Sequence, residues 1–190
     1  MIIVLSGPAG VGKTTIARLL LRTRKDITRV VTMTSRKPRR GEKNGIHYIF
    51  TTAEEIQKLS HTGKLFETAY IHENWYGTPR EKLDSAAHNG TQGPHVLLVI
   101  DYHGMRRVKQ EYGNNAVSIW LQPEFPEKLL ERLQKRRAPG GKAEIQRRLE
   151  SARDEIQHSG DYDVILTNWE GDTKRTLKDL LTKLPKYNSL

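Results

Sequence analysis

The sequence predicts an α/β fold: a parallel β-sheet core flanked by helices, with a small mixed or antiparallel insertion and a mobile lid. Two observations predict it. Short runs of aliphatic and β-branched residues alternate with stretches of helical periodicity along most of the chain, as expected of strands joined by crossover helices. A glycine-rich segment also falls directly between the first such run and the first helical stretch, where folds of this class hold phosphate.

The elements follow in order. Ile2 to Leu5 is a continuous apolar run and reads as a buried parallel strand. Lys13 to Arg24 carries Ile16, Leu19 and Leu20 at helical spacing. Val96 to Ile100 reads as a strand, Met105 to Tyr112 as a helix, Val117 to Leu121 as a strand, and Pro126 to Arg137 as a helix with proline near its start. Ala143 to His158 reads as helical, Val164 to Thr167 as a strand, and Thr173 to Leu184 as a closing helix. Residues from Thr32 to Thr78 break the alternation, with aromatic segments at Ile46 to Phe50, Phe66 to Ile71 and Trp75-Tyr76, and one helical stretch from Ala53 to Ser60. The expected organisation is a single domain, 1–190, with core segments 1–31, 80–135 and 150–190, an insertion over 32–79 and a lid over 136–149.

Composition narrows the function classes. A chain of 190 residues can bury one sizeable core. It has no cysteine, so disulfides, thiolate metal sites and a cysteine nucleophile are excluded. The short apolar run at the amino terminus is unlike a signal peptide, and no run approaches a membrane span, so a cytoplasmic location is expected. The net charge of +10 calls for a polyanionic partner. It is concentrated at Arg36 to Arg40, Arg132 to Arg137 and Arg147-Arg148, without the interleaved aromatics of a nucleic-acid platform. No specific nucleic-acid or membrane partner is expected.

Gly7, Pro8, Ala9, Gly10, Val11, Gly12, Lys13 and Thr14 match G-x-x-x-x-G-K-[ST] between a predicted strand and a predicted helix. The glycines let backbone N–H groups curl round phosphate without Cβ clashes, and the helix amino terminus adds its positive end. Lys13 then reaches the β- and γ-phosphates of a nucleoside triphosphate, and the Thr14 hydroxyl is the metal ligand for Mg²⁺. Asp101 supplies a carboxylate at the carboxyl end of a neighbouring strand.

The stretch Thr32-Met-Thr-Ser-Arg36-Lys-Pro-Arg39-Arg-Gly-Glu42, followed by Asn44-Gly-Ile-His-Tyr48, resembles the signature of the guanylate kinase family of P-loop nucleoside monophosphate kinases. The likeness continues through Leu65-Phe-Glu67, Asn74-Trp-Tyr76-Gly-Thr78, Ile100-Asp101-Tyr-His-Gly104, Arg132 to Arg136, Arg148-Leu149 and Tyr162 to Asn168, nearly the whole chain. The resemblance implies transfer of the γ-phosphoryl group from ATP to GMP with Mg²⁺. It also implies GMP binding by Thr32, Arg36, Arg39, Tyr48, Glu67, Tyr76, Thr78 and Asp101, and an adenine contact at Asn168. The catalytic residues it implies are Lys13, Arg39 and the lid arginines Arg136 and Arg148, with Arg137 and Arg147 as neighbours that could substitute.

The side chains are chemically apt. Two guanidiniums clamp a phosphate dianion in bidentate fashion, phenols donate beside them, and a carboxylate accepts from the N1–H and 2-amine of guanine. Departures from the family pattern are Val99, where an acidic residue is usual; Arg137-Ala-Pro-Gly-Gly in the lid; a longer connection at Gly90 to Pro94; and Trp169 in place of an acidic residue. The alternatives are a related P-loop kinase for another phosphorylated small molecule and a low-activity guanylate-kinase-like interaction module. The implied partners are ATP and GMP, with dGMP as a further candidate, and the chain is a monomer or a homodimer.

Overall fold

A computed structural model describes residues 1–39, 41–71, 73–89, 94–129, 131, 150, 153 and 155–184. In chain order its elements are β1 (Ile2–Ser6), α1 (Lys13–Thr23), β2 (Ile27–Arg29), β3 (Met33–Thr34), β4 (Ile49–Phe50), α2 (Ala53–His61), β5 (Leu65–Ile71), β6 (Asn74–Pro79), α3 (Arg80–His88), β7 (His95–Val99), α4 (Tyr102–Tyr112), β8 (Ala116–Pro123), β9 (Val164–Asn168) and α5 (Thr173–Lys183). Among the described residues no helix is long and apolar enough to cross a membrane.

The main sheet is parallel throughout, in the order β2-β7-β1-β8-β9. Its strands are apolar on both faces because helices cover both. Alternation along β1 assigns the layers: Ile2 and Val4 pack with Leu83 and Ala86 of α3 and Met105 and Val108 of α4. Ile3 and Leu5 pack with Ile16, Ala17 and Leu20 of α1 and Leu180 of α5. The sheet's carboxyl edge, where β1 and β7 end in Ser6 and Val99, is therefore the open end. There the Ser6 hydroxyl donates to the Ile100 carbonyl at 2.8 Å and ties the two strand ends together.

The insertion is a second sheet, β4-β3-β6-β5, in which only the β3–β4 pair is parallel. Its own core is small, Met33, Ile56 and Leu65. Pairing of β5 with β6 slips between Leu65 and Glu67. Around that irregularity Leu65 faces the insertion core while Phe66 is wholly buried in the main core. Phe66 fastens one sheet to the other, with the Tyr112 ring 5.6 Å away and the Arg80 and Arg107 guanidiniums at 5.5 and 5.3 Å from its centroid.

Three short elements, β2, β3 and α3, have no counterpart in the sequence reading, β3 being two residues long. β2 is three residues long, and α3 buries only Leu83 and Ala86, too little periodicity to announce either. The helix expected from Met105 starts three residues earlier, because the Asp101 side chain caps it by accepting from the Gly104 amide at 2.9 Å. Within Ile46 to Phe50 only Ile49 and Phe50 form a strand. Parts of the helices expected at 126–137 and 143–158, and the whole lid at 136–149, lie outside the described residues.

Phe66→Ala is expected to destabilise the protein by about 3–5 kcal/mol, the usual cost of emptying a buried aromatic site. Denaturant unfolding of the variant and parent measures it.

Candidate active site at the carboxyl edge of the sheet

The segment between β1 and α1 curls tightly. Gly7 has φ +147, and a Cβ there would lie 2.3 Å from the Leu121 carbonyl oxygen; Gly12 has φ +107 and caps α1 in the left-handed region. Both positions require glycine. The loop is pinned from behind: the Val11 side chain is wholly buried in the core, and the Asn168 amide donates to the Val11 carbonyl at 2.6 Å. Thr176 orients that amide by donating to the Asn168 oxygen at 3.1 Å. Lys13 bends back over the loop, its ammonium donating to the carbonyls of Gly7 and, at 3.2 Å, Pro8.

Facing the loop is the insertion sheet. Glu67 of β5 stands opposite Thr78 of β6, whose hydroxyl donates to Oε1 at 3.3 Å. Tyr48 and Tyr76 meet edge to face with centroids 6.1 Å apart. Arg36 stacks over Tyr48 at 5.3 Å and pairs with Glu42 at 3.0 Å, while the Arg39 amide donates to the same carboxylate at 2.7 Å. Glu42 therefore folds the two-arginine segment back on itself.

Both sides open into one cavity of about 260 Å³. Gly7, Pro8, Ala9, Gly10, Gly12, Lys13 and Thr14 form one wall; Thr32, Arg39, Tyr48, Glu67, Tyr76 and Thr78 form the other; Val99, Ile100, Asp101 and Glu155 lie between. Burial pushes the Glu67 carboxyl up to about 7, helped by the nearby Asp101 charge. Burial likewise raises Glu155 to about 7; the Lys13 ammonium opposes this and Asp101 adds to it. The cavity thus holds a cationic loop at one end and crowded carboxyl groups across from it.

A family model described as guanylate kinase matches residues 1–185. The chain belongs to the guanylate kinase family. It is 41% identical over 168 residues to the guanylate kinase of Rickettsia bellii, covering 88% of this chain and 85% of that one. To the guanylate kinase of Wolbachia pipientis wMel it is 38% identical over 186 residues, 98% and 90% of the two chains. Among solved structures it is similar to the guanylate kinase of Anaplasma phagocytophilum, with a TM-score of 0.74 and 31% identity over 96% of this chain and 82% of that one. The resemblance drawn from Thr32 to Tyr48 and onward is borne out.

Most residues singled out for the family's sites share the cavity. Three do not line it: Val11 is core, Arg36 sits behind Tyr48 on Glu42, and Asn168 is buried behind the loop with its amide bonded to Val11. Arg136 and Arg148, with Arg137 and Arg147, lie outside the described residues. At Val99, where the resemblance leads to an expected carboxylate, the side chain lining the cavity is apolar.

Glu155 was missed by the sequence reading. A signal existed, since Glu155 follows Arg148 by seven residues, two helical turns, and so falls on the same side of an expected helix. Among the described residues no group of three or more His, Cys, Asp or Glu is placed to hold a metal, so a protein-only metal cage has no basis there.

The raised carboxyl of Glu67 fixes the sign of a stability effect. Its folded pKa of about 7 exceeds the ordinary 4.5, so its contribution to stability is present below about 4.5 and lost as pH rises through 7. Glu67→Gln keeps the neutral form at every pH. It is expected to raise the melting temperature of the ligand-free protein at pH 8 and to change it little at pH 4.5; the ceiling is about 3 kcal/mol at 1.36 kcal/mol per pKa unit. Thermal melts of variant and parent at the two pH values check the direction.

Proposed function

We infer that this protein transfers the γ-phosphoryl group of ATP to GMP, giving ADP and GDP. What carries the reading is one shared cavity in which a phosphate loop faces a half-buried carboxylate paired with a hydroxyl. A phosphoryl donor held at one end and a guanine read at the other leave the two phosphates meeting in between.

The loop from Gly7 to Thr14 takes the ATP phosphates through its amides and the positive end of α1. Lys13 exchanges the Gly7 and Pro8 carbonyls for phosphate oxygens. Asn168 acts by holding the loop's rear and marks the adenine side. Arg39, Tyr48 and Tyr76 hold the GMP phosphate, joined by Arg36 when it exchanges Glu42 for a phosphate oxygen. Glu67 accepts from guanine N1–H and the 2-amine, Thr32 and Thr78 serve its O6 and N7 edge, and Asp101 closes the floor between the two nucleotides.

The nucleophile is an oxygen of the GMP phosphate, already anionic, so the chemistry asks for alignment and charge stabilisation rather than a strong base. The new bond joins that oxygen to the γ-phosphorus as the bond to the ADP oxygen breaks. Lys13, Arg39 and the lid arginines Arg136 and Arg148 offset the charge that spreads over the transferring group.

The Thr14 hydroxyl and the Asp101 and Glu155 carboxyl groups offer hard oxygen donors to one cavity, a set that fits Mg²⁺ held partly by ATP phosphates. Thr14 would hold the ion, which when bound neutralises charge on the β- and γ-phosphates. Cytoplasm is the expected location.

An ADP-release assay with ATP, Mg²⁺ and each of GMP, dGMP, AMP, CMP, UMP and a ribose phosphate tests the reading. GMP is expected to exceed AMP by about 10⁴-fold in kcat/KM, because AMP offers Glu67 a lone pair where guanine offers N–H. Comparable values for the two would overturn it. With GMP as acceptor, Lys13→Ala and Arg148→Ala are each expected to lower kcat by about 10²–10³-fold. Arg148→Ala should leave the GMP KM almost unchanged, and a rise in that KM alone would make Arg148 a ground-state binder.

A further inference from the structure

Gly104, the third residue of α4, carries a constraint that its own backbone does not impose. Its φ is not positive, unlike that of Gly7, Gly10 or Gly12, so any residue could adopt its conformation. A glycine inside a helix also weakens that helix relative to alanine. The local chemistry therefore argues against glycine, and the reason for it lies in the space the missing side chain leaves.

A Cβ on Gly104 would lie 2.8 Å from Oε1 of Glu67, 2.8 Å from Oε2, and 2.8 Å from Cδ1 of Ile100. Both carboxylate oxygens thus rest against the Gly104 α-carbon, over the first turn of α4. The amide of the same residue donates to Asp101 Oδ1. This one residue seats two carboxylates, Asp101 through its N–H and Glu67 through its bare α-carbon. The amino end of a helix suits such a seat, since its partial positive charge offsets some of the cost of burying them. From the other side, among the described residues, the Thr78 hydroxyl holds Glu67 by a single long hydrogen bond, with the Arg107 charge nearby.

We propose that Gly104 is the positioning residue for Glu67, setting how deep the base-reading carboxylate sits and hence the selectivity of the acceptor site. The inference rests on the guanine reading of Glu67 given above. A methyl at position 104 leaves the helix intact but occupies the seat. The atoms it meets, the Ile100 Cδ1 and the two carboxylate oxygens, are all ends of flexible side chains, so both side chains move, and the effect that depends on Glu67 is the carboxylate's. Once displaced, it can no longer accept from two parallel donors on guanine.

The test is a double-mutant cycle of Gly104→Ala and Glu67→Ala, read in two ways. In kinetics, Gly104→Ala in the parent is expected to raise the GMP KM by about 10–100-fold, the worth of a hydrogen bond to a charged group, with the ATP KM unchanged. The ratio of kcat/KM for GMP over IMP, which lacks the 2-amine, should collapse toward that of Glu67→Ala. In the Glu67→Ala background the same substitution should change nothing beyond about twofold, the additivity limit for independent sites.

Equal losses in both backgrounds, or an unchanged GMP-to-IMP ratio, would overturn the proposal. Thermal melts of the four proteins supply a readout that needs no substrate. If Gly104→Ala fails to fold while the double variant folds, the collision is with Glu67 and the proposal stands. If neither folds, or if both lose stability equally, the methyl is excluded by something else and the proposal fails. A parent protein that ignores GMP would sink the guanine reading, and the melts would still decide whether Gly104 seats Glu67.

Discussion

The Asn168 amide, sunk behind the phosphate loop, donates to the Val11 carbonyl, and the Val11 side chain fills the core beneath it. A loop that turns its amides toward a ligand cannot satisfy them internally, so it has little holding it from within. Its shape has to be imposed from outside. Here Thr176 of α5 orients Asn168, Asn168 at the end of β9 holds Val11, and β8 crowds Gly7 through the Leu121 carbonyl. The order of strands β1-β8-β9 is what brings these supports together, so the anion-binding geometry follows from the topology of the sheet.

The opposite wall is governed by a different force. Glu67, Asp101 and Glu155 share a cavity with Lys13 and Arg39. Without ligand, the carboxyl groups of Glu67 and Glu155 sit near the midpoint of their titration at neutral pH. Each costs free energy when ionised because it is partly withdrawn from solvent, and a ligand that donates hydrogen bonds to it relieves that cost. On the proposed reading of Glu67, part of the preference for a donor-rich base is therefore set by the protein before the base arrives.

The legible parts of the sequence were those in which one residue type has one local job. Gly7 to Thr14 could be read because phosphate binding dictates the spacing of glycines, lysine and hydroxyl. Strands β1, β7 and β8 could be read because burial on both faces makes continuous apolar runs. The proposed acceptor site was legible only through resemblance, since Thr32 and Tyr48 sit just before two-residue strands and Glu67 and Thr78 on paired strands of the small sheet, none with a periodic signal of its own. Glu155 left only its seven-residue spacing from Arg148 as a signal and the closeness of Gly104 to Glu67 left none, since each meets its neighbour, Lys13 and Glu67, from far along the chain. The role of Asn168 was also hard to foresee, because its amide is bonded to Val11, 157 residues away in the chain.

The irregular pairing between Leu65 and Glu67 has an evolutionary consequence. Successive residues of a strand point to opposite faces, so one inserted or deleted residue ahead of this point would reverse Leu65, Phe66 and Glu67 together. The anchor that joins the two sheets and the carboxylate that faces the cavity would be lost in the same event. Along Leu65 to Glu67 change is thus limited to substitutions at fixed length, and the constraint reaches further along β5, where Ala69 and Ile71 line the same cavity while Tyr70 between them is 61% exposed.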